Sequence, residues 1–224
     1  MRALLLARDN CKNSLSLQKL LRNKNFLLET FFFNKGDKFP INELSAWDGD
    51  YLFSFRCPVK VPQSVLENTR VAAINFHPAP PHYRGCGAVN WAVYNGDSEF
   101  GSTAHIMSEE FDSGQILKCN MFKIFEGQDL ESLWQLSNDM TFELASQVIN
   151  GISKYGAEHI SELKKDNVGE QWIGKIRKIE EIERLEKVSL DCSEEELKRI
   201  IRATVFGNFG PYIELWGHKF KYDK

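Results

Sequence analysis

Four short apolar runs follow one another in the first 76 residues, at 3–7, 26–33, 51–55 and 71–76. They do not alternate apolar with polar, and each ends in polar or proline-bearing sequence such as Arg8-Asp9, Pro58 or Pro78. Continuous apolar runs of this length read as strands buried on both faces, the pattern of a parallel sheet with helices on each side. Between the first two runs, Leu17, Leu20 and Leu21 mark the apolar face of a short helix over 15–21. Strand and helix in alternation predict an α/β domain, a Rossmann-like, mostly parallel sheet flanked by helices. Hydrophobic residues at 42% suffice for such a core. Further along, 88–95 predicts a helix stopped at Gly96. Residues 102–107 and 115–124 predict two more strands, the second mixed enough in polarity for an edge. The strongest helix covers 130–149, with Leu130, Leu133, Trp134, Leu144, Ala145 and Val148 on one face.

The character changes after about residue 154. Charge rises, and 164–170 reads as a polar linker. Ser193 and Glu196 match a capping box that opens a short helix. Tyr212 to Leu215 and Lys219 to Tyr222 flank Trp216-Gly217-His218 as a β-hairpin. The organisation expected is a catalytic α/β domain over 1–155 and a small C-terminal α+β region, helix plus hairpin, over 170–224.

Several function classes are disfavoured. A net charge of −3 supplies no basic footprint, so no nucleic-acid partner is expected. Cys11, Cys57, Cys86, Cys119 and Cys192 are scattered, without the pairing of a disulfide framework or the spacing of a zinc site. Reduced thiols, a cytoplasmic location and no metal are expected. The opening apolar run breaks at Arg8-Asp9, too early for a signal-peptide core, and no membrane segment is read. The turn after that run, Arg8 to Lys12, has no glycine, which argues against a dinucleotide cradle for NAD or FAD.

The chemistry concentrates where the fourth run ends. Asn75 and His77 are two apart, so their side chains share one side of a strand while Phe76 faces the core. Ligands of open α/β sheets sit beyond the carboxyl ends of strands. Between two later strands, Asp112-Ser113-Gly114 is a turn able to present a carboxylate beside that rim. Amide, imidazole and carboxylate together suit attack of an amine on a carbonyl carbon. A strand-closing histidine and a plain turn carboxylate remain open at this point. His82, His105, His159 and His218 show no partner pattern and read as structural.

Asn75-Phe76-His77, Tyr83-Arg84-Gly85, Gly101-Ser102-Thr103 and Asp112-Ser113-Gly114 occur in the order, and close to the spacings, of the folate-dependent formyltransferases. The chain resembles that family mainly over 50–150. The resemblance implies Asn75, His77 and Asp112 as the catalytic residues and 10-formyltetrahydrofolate as donor. It implies Phe55, Arg56 and Met107, with Asp112, on the cofactor side, and Tyr83, Arg84, Gly85, Asn90 and Trp91 on the substrate side. The loop Pro78-Ala79-Pro80-Pro81 is one residue shorter than the Ser-Leu-Leu-Pro loop of many members and is similar to that of the amino-sugar enzymes. The acceptor expected is therefore a nucleotide-linked amino sugar, a dTDP-4-amino-4,6-dideoxyglucose or a GDP or UDP analogue, used for surface polysaccharide. A tRNA enzyme of the family would be expected to add a larger basic C-terminal domain. Glycinamide ribonucleotide or another small amine, hydrolysis of the donor, and a non-catalytic binder stay as alternatives. The hairpin edge makes a homodimer a further expectation.

Overall fold

The computed structural model describes residues 1–223. In chain order the first half contains β1 (Arg2–Arg8), α1 (Lys12–Asn23), β2 (Leu27–Phe33), α2 (Ile41–Leu44), β3 (Tyr51–Phe55), α3 (Gln63–Glu67), β4 (Ala72–His77) and α4 (Ala88–Asn95). Next come β5 (Glu99–Ile106), β6 (Ile116–Lys123), α5 (Leu130–Tyr155) and α6 (Ala157–Asp166). The C-terminal region adds α7 (Ile179–Glu186), α8 (Glu194–Thr204), β7 (Tyr212–Leu215) and β8 (His218–Lys221).

The six-stranded sheet runs β2-β1-β3-β4-β5-β6. The first four strands are parallel, and β5 and β6 continue the sheet antiparallel. Burial on both faces accounts for the apolar sequences of β1, β3 and β4, whereas β2, expected to be buried likewise, is the edge strand and is only half-buried, with Leu27 exposed. Along β1, Ala3, Leu5 and Ala7 enter a core under α1, α5 and α6, while Leu4 and Leu6 enter a second core with Leu44, Trp47 and Val65. Each such fully buried side chain contributes roughly 1.5–3 kcal/mol.

Four local expectations are corrected. The long helix runs on to Tyr155 because Ile152 continues its buried stripe, and Gly156 ends it at a φ of 61°. Trp134 is not part of that stripe; it is 39% exposed and projects from the helix beside the mouth of the sheet. The span 164–170 is only partly a linker, since α6 persists to Asp166 and Asn167 ties its end to β6 through Leu117 O at 2.7 Å. The capping box at α8 is one-sided. Ser193 accepts from the Glu196 N–H, but the Glu196 carboxylate bonds Tyr94 and Arg199 instead of turning back.

Those Glu196 bonds help seat the C-terminal region on α4. Asn90 Nδ2 donates to Ala203 O and Arg199 Nε to Tyr94 O, above the buried Ile200 and Ala203. The chain between α6 and α7 returns across the end of the sheet. Ile173 N–H bonds Pro81 O, Arg177 N–H bonds Arg84 O, and Cys86 N–H bonds Arg177 O. This strap holds the segment after β4 in place.

Candidate active site

β4 delivers Asn75 and His77 to one face of the sheet, and Phe76 to the opposite core. Asn75 lies opposite His105 and His77 opposite Thr103 in the antiparallel register with β5, so all four side chains share that face. Thr103 Oγ1 donates to Ala79 O, and Ser137 Oγ to Pro78 O, which anchors the proline loop beyond the histidine.

Asp112 reaches the same point from the β5–β6 turn. Its φ of 45° lies in the left-handed region, which Asp tolerates better than most side chains. Oδ1 lies 3.4 Å from His77 Nδ1 and 3.5 Å from His105 Nε2. Oδ2 accepts the Gly85 N–H at 2.8 Å. Burial pushes the Asp112 carboxyl up, but His77, His105 and the Gly85 N–H outweigh it and bring its pKa down to about 2. The group is ionised across the neutral range. His77 Nε2 lies 2.7 Å from Tyr83 O, so that nitrogen carries a hydrogen while Nδ1 faces the carboxylate.

His105 is the functional residue that sequence reasoning missed. Its Nδ1 lies 2.9 Å from Ile106 O, a group that only accepts, and must donate there. Nε2 lies 3.0 Å from Asn75 Nδ2 and 3.5 Å from Asp112 Oδ1, so it accepts from the amide when the ring is neutral and donates to the carboxylate when the ring is charged. This sets the Asn75 amide and leaves its second N–H for a ligand. Trp172 from the strap packs edge-on against both rings, 4.9 Å from His105 and 5.9 Å from His77, with its Nε1–H bonded to Gly114 O. The one clue in sequence was His105 standing two residues after Thr103; only the β4–β5 register turns that into a contact.

Residues 41–149 match the family model described as formyl transferase, a span that includes Asn75, His77, His105 and Asp112. These residues resemble a formyl transferase domain. It is 27% identical over 186 residues to a methionyl-tRNA formyltransferase of Lactobacillus delbrueckii subsp. bulgaricus, covering 81% of this chain and 55% of that protein. It is 30% identical over 119 residues to a GDP-perosamine N-formyltransferase of Brucella melitensis, covering 53% of this chain and 45% of that one. The chain thus spans about half the length of these curated relatives. The fold is that of a sugar N-formyltransferase from Shewanella, with a TM-score of 0.74, 20% identity, and coverage of 99% of this chain and 96% of the other.

Around this cluster, the remaining sequence-derived candidates divide. A cleft of about 180 Å³ is lined by His77, Gly85, Asn90, Arg56, Trp134 and Asn138. Gly85 is sterically required there. Its φ is 81°, and a Cβ would meet Arg177 O at 2.2 Å. Arg56 stacks its guanidinium 4.7 Å over Trp134 and reaches Cys11 Sγ. Phe55 is fully buried on the α1–α5 face, away from Asn75. Met107, like Cys57 and Val59, packs against the second core, on the face that carries Asn75 and His77. Tyr83 is buried and bonds Asp97 and Asn95 through its hydroxyl, so its link to the site is its carbonyl. Arg84 spends its donors on Asp112 O, Gly174 O and Glu110, which brace the strap and the Asp112 turn. Trp91 is half-buried beneath the Arg177 guanidinium, 4.1 Å from its ring centroid.

Proposed function

We propose that the protein transfers the formyl group of 10-formyltetrahydrofolate to the amine of a nucleotide-linked amino sugar. The observation that carries this reading is the convergence of Asn75, His77 and ionised Asp112 at the carboxyl edge of β4, with His77 opening on the neighbouring cleft, within the span that matches a formyl transferase model. The donor set fits a formyl group, because Asn75 keeps an amide N–H unspent beside two groups able to exchange a proton. Met107, Cys57 and Val59 give the neighbouring surface the apolar character that a pterin ring needs.

When bound, 10-formyltetrahydrofolate supplies an electrophilic formyl carbon. Asn75 donates its second N–H to the oxygen on which negative charge builds as the amine attacks. His105 holds that amide in place. Asp112 and His77 take up the amine proton and return it to N10 of the departing tetrahydrofolate as the bond from N10 to the formyl carbon breaks. Trp172 closes one side of the pair to water.

An amino-sugar nucleotide as acceptor is supported by the short proline loop, by the fold shared with a sugar N-formyltransferase, and by the Brucella relative. A net charge of −3 disfavours tRNA. We place the reaction in the cytoplasm, upstream of surface polysaccharide synthesis. Assembly as a dimer through the hairpin is supported by exposed Trp216, Phe220 and Tyr222. The deciding experiment incubates the protein with 10-formyltetrahydrofolate and a panel of amino-sugar nucleotides, read by mass for gain of one formyl group. Gain on glycinamide ribonucleotide alone, or formate release without any amine, replaces this reading with one of its alternatives.

A further inference from the structure

The proton-accepting pair creates a problem of its own. Asp112 and His77 can take a proton from attacking water as well as from an amine, and water at the formyl carbon yields formate instead of a formylated amine. Transfer therefore needs the pair to be screened from water. Both side chains are only 7% exposed, and the groups that cover them differ in kind. His105, the Tyr83 carbonyl and the Gly85 N–H are polar, and each lies within 3.5 Å of the pair. Trp172 instead brings an apolar ring edge-on to both imidazoles, its centroid 4.9 Å from His105 and 5.9 Å from His77.

Trp172 is also the odd residue of the strap. Between 168 and 175 every other residue is exposed, and Trp172 alone is half-buried. An indole carries one polar atom, a donor. That donor is spent on Gly114 O at 2.7 Å, so the ring offers the site a wall on which water finds no hydrogen-bond partner. Two bonds beside it keep the ring from swinging out, Ile173 N–H to Pro81 O at 3.1 Å and Arg84 Nη1 to Gly174 O at 3.3 Å. A Cβ on Gly114 would lie 1.9 Å from Ile106 O, so the turn that carries Asp112 rests directly on the end of β5. Wall and carboxylate are thereby fixed to one turn.

We infer that Trp172 decides how the formyl group divides between amine and water, holding the protein to transfer and suppressing hydrolysis. The inference rests on the formyl transfer proposed above and adds the residue that sets its selectivity. In either reaction the nucleophile, amine nitrogen or water oxygen, bonds the formyl carbon, the bond from that carbon to N10 breaks, and a proton from the nucleophile passes through Asp112 and His77 to N10. One outcome is a formylated amine and tetrahydrofolate. The other is formate and tetrahydrofolate, with a second proton released to solvent. The amine is delivered by the binding of the molecule that carries it, whereas water has no such anchor and needs an opening. The indole closes that opening.

The test compares wild type, Trp172→Phe and Trp172→Ala, each checked for folding by its thermal midpoint. With 10-formyltetrahydrofolate and no amine, Trp172→Ala should release formate about tenfold faster than wild type or more. Trp172→Phe keeps an apolar ring but loses the bond to Gly114 O, and should fall between them. With an amino-sugar nucleotide that wild type formylates, the ratio of formate to formylated sugar should rise in the same order. A role confined to packing would lower both products together and leave that ratio unchanged. A second readout needs no folate: deuterium exchange at the imidazole C2 of His77 and His105, followed by mass, should quicken severalfold in Trp172→Ala as water reaches the rings. Formate release equal in wild type and Trp172→Ala, an unchanged ratio, or rapid formate release from wild type itself overturns the inference. So does more formate with unchanged imidazole exchange, which puts the leak elsewhere. If wild type formylates no amine in the panel, the acceptor proposal falls, while the formate arm, which contains no amine, still decides the role of Trp172.

Discussion

The carboxyl edge of β4 and the C-terminal hairpin solve opposite problems. At the edge, His77, His105 and Asp112 are each buried and each meets polar partners, so every ionisable group there has its desolvation offset by a neighbour. Removing one partner leaves the others unsatisfied, which makes this region intolerant and geometrically fixed. The hairpin has two four-residue strands in a sheet of their own, tied to the rest of the chain at Tyr212 through Lys187 and Val188, and β8 is exposed along its whole length. Its side chains are spent on solvent and on the rim of a cavity beside α5 and α7. Dense, cooperative packing fixes the edge, whereas a side chain of the hairpin changes at little cost to the fold.

The largest test of this contrast is turnover of His77→Ala. A fall of about 10²–10⁴ in kcat is expected with the fold retained by circular dichroism. Near-normal turnover removes the edge from the chemistry altogether.

Next is His105→Ala. Loss of the group that holds Asn75 should lower kcat by ~10- to 100-fold and leave substrate KM values nearly unchanged. His105→Gln, which keeps an acceptor toward the amide, should recover part of the loss. Equal effects of Ala and Gln, or an effect on KM alone, mean that His105 acts by packing and not by orienting the amide.

Acid unfolding probes the same cluster through stability. The folded Asp112 carboxyl titrates at about 2, below its ordinary 3.8. Its stabilisation is therefore present above about pH 4 and is lost as pH falls through 2, a contribution of about 2 kcal/mol. Denaturant melts at neutral and acidic pH should show a smaller acid loss in Asp112→Asn than in wild type. An identical loss in both proteins breaks the link between ionisation and folding at this site.

The smallest effect belongs to the hairpin. Trp216 is 95% exposed, so Trp216→Ser should leave monomer stability within ~0.5 kcal/mol. A larger loss shows that the hairpin is not the independent, tolerant element described, and a concentration-dependent loss assigns the difference to association.

Much of the edge was legible in the chain. Asn75 and His77 sit two apart at the end of an apolar run, and strand periodicity alone turns them to one side. Helix α4 begins and ends where its sequence indicates because Gly96 supplies the left-handed stop at a φ of 74°. The partners of Arg84 and Tyr83 were not legible in the same way. Their residue types suit phosphate and sugar, but their donors are consumed by Asp112 O and Asp97, partners brought in from 28 and 14 residues away. The Ser193 box failed on one side for the same reason, because Tyr94 competes for Glu196 across 102 residues.

The sequence by itself determined the strands buried on both faces, the polar pair at the end of the fourth, and the helical punctuation, since these depend on periodicity and backbone preference over a few residues. Only the tertiary structure decided that Asp112 and His105 meet that pair and that Trp172 returns to cover it. Those contacts depend on strand register and on a strap 95 residues beyond His77, as the His77–Trp172 contact shows, and no local pattern encodes a distance of that kind.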